Sequence, residues 1–192
     1  MELQHVNVKI YVDGDLAIDP AEFIDVFHEW IREHTLDELL IDVADYRHVP
    51  AGPGVMLIGH EADYSMDNAG DRWGLRYNRK AAVDGSNDDR LRQALRSAAS
   101  ACQLLEEHFN GPESLRFSRR EFELFINDRA LAPNTPETLA ACRPMLESFL
   151  TSALGHDDFS LEPRTAPRSL FGVAVTLARP FELTAILEAL AP

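Results

Sequence analysis

The stretch from Leu39 to Glu61 holds the densest mixture of Asp, His and Glu side chains among apolar residues. Its pattern is typical of two strands around a Pro/Gly-rich turn, and a turn centred on Ala51 would place Asp42 opposite His60. An aspartate beside a histidine orients the imidazole and stabilises its charge, which is the minimal arrangement for acid–base catalysis. We therefore expect Asp42 and His60 to be catalytic residues, with a solvated polar pair near a turn as the structural alternative.

The same hairpin and the strand after it supply candidate ligand-binding residues. A basic cluster with interleaved aromatic residues occupies 72–80, and arginine can bind a carboxylate or phosphate through two parallel hydrogen bonds. The alternative is a charged strand whose charges prevent edge pairing. The expected ligand-binding residues are Tyr46, His48, Glu61, Arg76 and Arg79.

Other chemistries find less support in the residue spacing. The hairpin contains ligand types that suit zinc or iron, but no HExxH or compact His-x-His motif occurs, so we expect no bound metal and no cofactor. The turn at 49–54 lacks the GxxxxGK(S/T) pattern of a phosphate-binding loop, and we interpret it as a rigid hairpin turn. No GxSxG motif occurs, and neither cysteine has an evident histidine partner for nucleophilic catalysis.

Composition limits the classes of partner. A net charge of -14 argues against nucleic-acid binding, because a duplex would be repelled. No apolar run approaches ~18 residues, so we expect no membrane partner, and the N-terminus lacks the pattern of a signal peptide. Cys102 and Cys142 are isolated thiols without CxxC spacing, which favours a reducing, cytoplasmic location.

Hydrophobic periodicity predicts strands and helices that would hold these residues. In the first half we expect a half-buried strand at 5–12, a helix to about residue 34, the hairpin, a polar loop at 63–71, a strand at 73–79 and a helix at 89–109. In the second half we expect a strand at 121–127, a helix that contains Pro144, strands at 159–162 and 170–177 around a turn at 163–167, and a terminal helix.

The two halves resemble one another in the order of these elements. Each runs β-α-β-β-α, with one more strand in the first half, which predicts an α+β fold with helices against a mainly antiparallel sheet and ferredoxin-like local order. We divide the chain into 1–112 and 113–192, packed as one compact unit, and consider internal duplication and coincidence as alternatives. In this alignment 54–57 matches 172–175, and the Asp42, His60 and Glu61 side chains have the unlike counterparts Ser160, Ala178 and Arg179.

Two functions follow from these observations. The first is binding of a small anionic metabolite in a pocket between the halves, with Asp42 and His60 as acid–base pair or polar anchors. The second is a non-enzymatic interaction or scaffold module that binds another protein, or a second copy of the chain, through helix faces or strand edges. The residues do not decide between an enzyme and a binding protein.

Overall fold

The computed structural model describes residues 1–165 and 168–191, which form one eight-stranded antiparallel sheet and four helices. The strands are β1 (Val6–Val12), β2 (Leu40–Tyr46), β3 (Gly54–Gly59), β4 (Ala62–Asp67), β5 (Gly74–Arg79), β6 (Phe117–Ile126), β7 (Phe159–Pro163) and β8 (Gly172–Leu177). The helices are α1 (Glu22–Glu33), α2 (Asn87–His108), α3 (Pro136–Leu154) and α4 (Leu183–Ala189). The α+β class and the antiparallel sheet are therefore confirmed. None of the helices in the described ranges is long and apolar enough to cross a membrane.

The sheet order is β2-β3-β4-β5-β1-β6-β8-β7, so β1 lies near its centre. Val8 and Ile10 of β1 join one apolar core with side chains from all four helices, and we call this side of the sheet the helix face. The side chains that alternate with them, Asn7 and Lys9, point to the opposite side, the open face, and are buried there too. The prediction of a half-buried first strand was wrong, because long side chains of neighbouring strands cover β1 on the open face.

The predicted polar loop at 63–71 was also wrong in part, because its first half is the strand β4. Tyr64 and Met66 lie in the core, whereas Asp63, Ser65 and Asp67 alternate with them and point to the open face. Hydrophobicity alone predicts a loop for a strand that carries acidic residues on one side. The predicted turn at 163–167 includes residues 166 and 167, which lie outside the described residues.

The two halves share the sheet, since β1 of 1–112 pairs with β6 of 113–192. The last strand of each half, β5 or β8, is the neighbour of the first strand of that half. By position in the sheet, β8 therefore corresponds to β5, whereas the sequence alignment matched it to β3. The comparison that singled out Asp42, His60 and Glu61 by their unlike counterparts thus loses its support.

Helix α2 lies across the sheet on β1 and β5 and is fixed at its start by a capping box. The Ser86 hydroxyl accepts a hydrogen bond from Asp89 N, while the Asp89 carboxylate accepts one from Ser86 N at 2.7 Å. This fixed start determines where the polar side chains of its first three turns lie.

Candidate functional site

A cavity of about 950 Å³ opens on the helix face beside the first four turns of α2. Its other walls are the loop between α1 and β2, the turn between β3 and β4, and the end of β5. Leu190, after α4, is the lining residue that comes from the second half. Apart from Leu190, the described lining comes from the first half, whereas we expected a pocket between the halves.

A chain of hydrogen-bonded polar side chains from three separate elements supports one wall of the cavity: Glu38, Gln93 and Ser97 line it, whereas Tyr77 is fully buried and joins them. The Tyr77 hydroxyl donates to Oε1 of Glu38 at 3.2 Å and accepts a hydrogen bond from Nε2 of Gln93 at 2.6 Å. The same amide nitrogen donates to the Ser97 hydroxyl, one turn further along α2, at 3.2 Å. Strand β5, the loop before β2 and helix α2 are thus tied together at the cavity.

Two polar atoms of this wall lack a partner. Oε2 of Glu38 and Oε1 of Gln93 are buried and make no hydrogen bond within the described ranges. Tyr64 also lines the cavity, and its ring packs edge-on against that of Tyr77 at 5.1 Å. Because buried polar atoms are nearly always paired, these two atoms mark a part of the structure with unsatisfied hydrogen-bonding capacity, on two side chains that line the cavity.

Burial raises the pKa values of three titratable side chains at the cavity. Burial raises the pKa of the Glu38 carboxyl above its ordinary value, although the hydrogen bond from Tyr77 and the charge of Arg79 act in the opposite direction. Burial also raises the pKa of Tyr77 to about 12, and it raises the pKa of Tyr64 further. Both phenols therefore stay neutral near pH 7, and Glu38 is the carboxyl group of the cavity whose pKa burial raises.

Three arginines border the cavity, and they differ in what they already bind. Arg79 forms an ion pair with Glu61 at 2.9 Å, and Arg92 forms one with Asp88 at 3.1 Å. Arg96 is exposed and makes no hydrogen bond or ion pair with any residue that the structure describes. Arg96 is thus the guanidinium available to an anion.

Three of the predicted site residues, His60, Glu61 and Arg79, line this cavity. His60 and Glu61 form the turn between β3 and β4, where His60 N donates to the Leu39 carbonyl at 2.8 Å. We predicted His60 and Glu61 from a hairpin centred on Ala51, which differs from the observed hairpin. The β3–β4 turn nevertheless places both residues at the cavity.

The predicted cross-strand pair of Asp42 and His60 was wrong. Tyr46 pairs with Gly54, so the turn is centred on Pro50 instead of Ala51 and Asp42 faces Ile58. Moving the centre by one residue moves every partner by two. Asp42 is exposed, and its carboxylate accepts a hydrogen bond from Val43 N at 2.8 Å.

The remaining predicted ligand-binding residues lie elsewhere. Tyr46 and His48 are exposed near the far end of the β2–β3 hairpin, with ring centroids 6.3 Å apart. Arg76 points to the open face, where its guanidinium lies 3.6 Å from Asp67 and over the Phe125 ring. The structure does not bring these three side chains to the cavity.

The open face carries a second charged cluster, built around the buried Lys9. Lys9 Nζ donates to Asp67 at 2.6 Å and to the carbonyls of Ala69 and Arg72 at 3.2 and 2.7 Å. Lys9 and Asp67 lie on β1 and β4 with β5 between them, and Gly74 leaves room for the lysine chain: a Cβ there would lie 3.0 Å from its Cε. Because all three ammonium donors are used, we assign this cluster to stability.

Sequence reasoning missed Glu38, Gln93, Arg96 and Ser97. Gln93 and Ser97 are polar residues spaced i, i+4 beside the apolar stripe of α2, which is the one signal that could have indicated a polar helix flank facing a cavity. Within the described ranges, no group of three or more His, Cys, Asp or Glu residues is placed to hold a metal ion.

Comparison with protein-family models, with curated proteins and with solved structures finds no match for this chain. The geometry of the cavity is therefore the basis for inferring a function.

Proposed function

We propose that the protein binds a small anionic metabolite in the cavity beside α2, with Arg96 as the contact for the anionic group. The observation that carries the proposal is the pairing of two buried, unpartnered atoms, on Glu38 and Gln93, with an unpaired arginine at the border of the same cavity. An unpaired buried polar atom costs about 1–3 kcal/mol, which a ligand with matching hydrogen-bond groups would recover. A cavity of about 950 Å³ is within the size range of metabolite sites.

Within this proposal, Glu38 replaces Asp42 and His60 as the group for acid–base chemistry. Its support is the raised pKa, together with the hydrogen bond from Tyr77 that holds the carboxyl group in place. Tyr77 is a positioning residue, because it acts through Glu38, whereas Gln93 is assigned as a ligand contact. His60 and Glu61 are assigned to the rim of the cavity.

The test is a thermal-shift screen of small carboxylates, phosphates and amino acids against the wild type and two variants. A ligand present at 100 times its Kd stabilises the folded state by about 2.7 kcal/mol, which raises the Tm of a chain of this size by about 5–10 °C. We expect Arg96→Ala to lose most of this shift, while Arg32→Ala, an exposed arginine of α1 outside the cavity, keeps it. A panel in which no anion raises Tm, or a shift that Arg96→Ala retains in full, would contradict the proposal.

The second candidate function is self-association through the edge strand β2, which lies at one end of the sheet. It is favoured by the exposed apolar side chains of this edge, among them Leu39 at 64% and Ile41 at 56% exposure. Antiparallel pairing of β2 with a second copy would extend the sheet across a dimer. Sedimentation of the wild type and of Ile41→Lys tests it: we expect a dimer that the variant loses, and a monomeric wild type would contradict it.

We also propose that the halves arose by duplication of a ferredoxin-like unit. Support comes from the sheet order β6-β8-β7 in the second half and β1-β5-β4 in the first, with β2 and β3 as an inserted hairpin. The proposed cytoplasmic location is supported by Cys102 and Cys142, which are both free thiols and buried.

A further inference from the structure

Most charged groups of the cavity are already paired, but three remain unmatched on α2 and the loop facing it. Arg79 is paired with Glu61, Arg92 with Asp88, and Asp89 is used by the cap of α2. Asp37, Glu38 and Arg96 have no ion-pair partner among the residues that the structure describes. Asp37 is exposed to water, whereas Glu38 is half-buried, so Glu38 is the unpaired acid that water compensates least and Arg96 is the unpaired cation.

We infer that the ligand is a small zwitterion, whose amino group contacts Glu38 and Gln93 and whose carboxylate or phosphate contacts Arg96. This inference rests on the proposed function and specifies its ligand. It concerns the chemistry of recognition, with no reaction step implied.

The amino group follows from the direction of the hydrogen bonds in the wall. The Tyr77 proton is directed to Glu38, and Nε2 of Gln93 donates to Tyr77 and to Ser97. The free atoms, Oε2 of Glu38 and Oε1 of Gln93, are thus both acceptors when the carboxyl group is ionised. An ammonium group offers three donors and compensates the buried negative charge, which a hydroxyl group cannot do.

The spacing of the acidic group follows from helix geometry. Gln93 and Arg96 are three residues apart on α2, so their Cβ atoms lie about 5–6 Å from one another on adjacent parts of the helix surface. The Arg96 side chain is long and exposed, and can approach an anion held beside Gln93. A short chain of a few carbons between the two charged groups fits this separation.

The test compares matched probes that differ in a single group. We choose γ-aminobutyrate with γ-hydroxybutyrate, aminoethyl phosphate with hydroxyethyl phosphate, and butylamine as the amine without an acid. Calorimetric titration of the wild type should give an affinity for each amino acid or amino phosphate at least about tenfold higher than for its hydroxy analogue, because hydrogen bonds to charged groups are the stronger ones. Butylamine should bind at least about tenfold more weakly than γ-aminobutyrate, since it offers nothing to Arg96.

Variants separate the two contacts. Glu38→Gln should weaken the amino probes to the level of the hydroxy probes and leave the hydroxy probes nearly unchanged. Arg96→Gln should weaken both members of a pair by the same factor. Glu33→Gln, an exposed carboxylate at the end of α1 away from the cavity, should change neither. Melting temperatures of the unliganded variants report whether each one is folded.

The outcomes distinguish this inference from the proposed function. Hydroxy probes that bind as tightly as amino probes, or a preference that survives in Glu38→Gln, would overturn the zwitterion and leave the anion site standing. Binding of larger anions alone, with no response to any amino probe, would do the same. If no anion of any kind binds, both proposals are wrong.

Discussion

Replacement of Tyr77 by phenylalanine removes the buried hydroxyl group that joins two cavity-lining side chains, Glu38 and Gln93. Tyr77 is fully buried, and its hydroxyl both donates to Glu38 and accepts from Gln93. The ring of phenylalanine fills the same space, so the change isolates the hydrogen bonds from the packing. The variant therefore measures how far the wall is held together by this one group.

The expected loss can be worked out from the partners that remain. Gln93 keeps its bond to Ser97 at 3.2 Å, whereas Oε1 of Glu38 loses the hydrogen bond that Tyr77 donates to it. Leaving one buried acceptor unpaired costs ~1–3 kcal/mol, so we expect the free energy of unfolding to fall by about 2 kcal/mol. For 192 residues this corresponds to a fall in Tm of about 4–8 °C.

The assay is urea denaturation with a parallel thermal melt, and Tyr46→Phe serves as the matched control. Tyr46 is 41% exposed at the far end of β2, so its change should stay within about 0.5 kcal/mol. A loss below about 0.5 kcal/mol in Tyr77→Phe, or equal losses in the two variants, would refute the hydrogen-bonded wall.

Three further predictions concern stability. Burial raises the pKa of Glu38 in the folded state above its ordinary value of 4.5, so protonation of Glu38 stabilises the fold. This stabilisation is fully present below pH 4.5 and is lost as the pH rises through the raised pKa. Urea titrations should therefore show Glu38→Gln gaining stability relative to the wild type between about pH 4 and pH 7. Lys9→Met should lower the free energy of unfolding by about 3 kcal/mol, since it removes the nearer cation from the buried Asp67 carboxylate and leaves only Arg76 at 3.6 Å, and a second change of Asp67 to Asn should restore part of the loss in a double-mutant cycle. Gly54→Ala should lower Tm strongly, because Gly54 has φ +64° and a Cβ there would overlap the carbonyl oxygen of Met66.

Each of these predictions has its own contradicting result. A difference between Glu38→Gln and the wild type that does not change with pH would show that Glu38 titrates normally. A double Lys9 and Asp67 variant that is less stable than Lys9→Met would remove the argument from a poorly compensated charge. Gly111→Ala, where a Cβ meets nothing within 4 Å, is the control for Gly54→Ala and should leave Tm within about 2 °C.

The local pattern of the chain was sufficient to predict most elements of the fold. The alternation in β1 and the apolar stripe of α2 are strong periodic signals, and both elements form as expected. β4 was missed because three of its six residues, Asp63, Ser65 and Asp67, are polar and face the open side. That side is covered by side chains of other strands, which local pattern does not reveal.

The candidate site was harder to predict, because its parts are distant in sequence. Tyr77 meets Glu38 across 39 positions and Gln93 across 16, and these contacts depend on how α2 lies on the sheet. The error for Asp42 has a different cause: one residue in the centre of a turn decides the partner on the facing strand. Arg79 lies at the cavity because β5 ends there, whereas Arg76 belongs to the other face by alternation.

The most direct test of the cavity as a ligand site uses the four tyrosines of the chain as reporters. Tyr64 lines the cavity and Tyr77 is hydrogen-bonded to two lining side chains, whereas Tyr11 lies on the open face and Tyr46 on the hairpin. NMR spectra of protein labelled at tyrosine should be recorded while a probe that raises Tm is added. We expect the signals of Tyr64 and Tyr77 to shift with the probe concentration, while those of Tyr11 and Tyr46 stay in place. Shifts confined to Tyr11 or Tyr46, with Tyr64 and Tyr77 unchanged, would contradict the cavity as the ligand site.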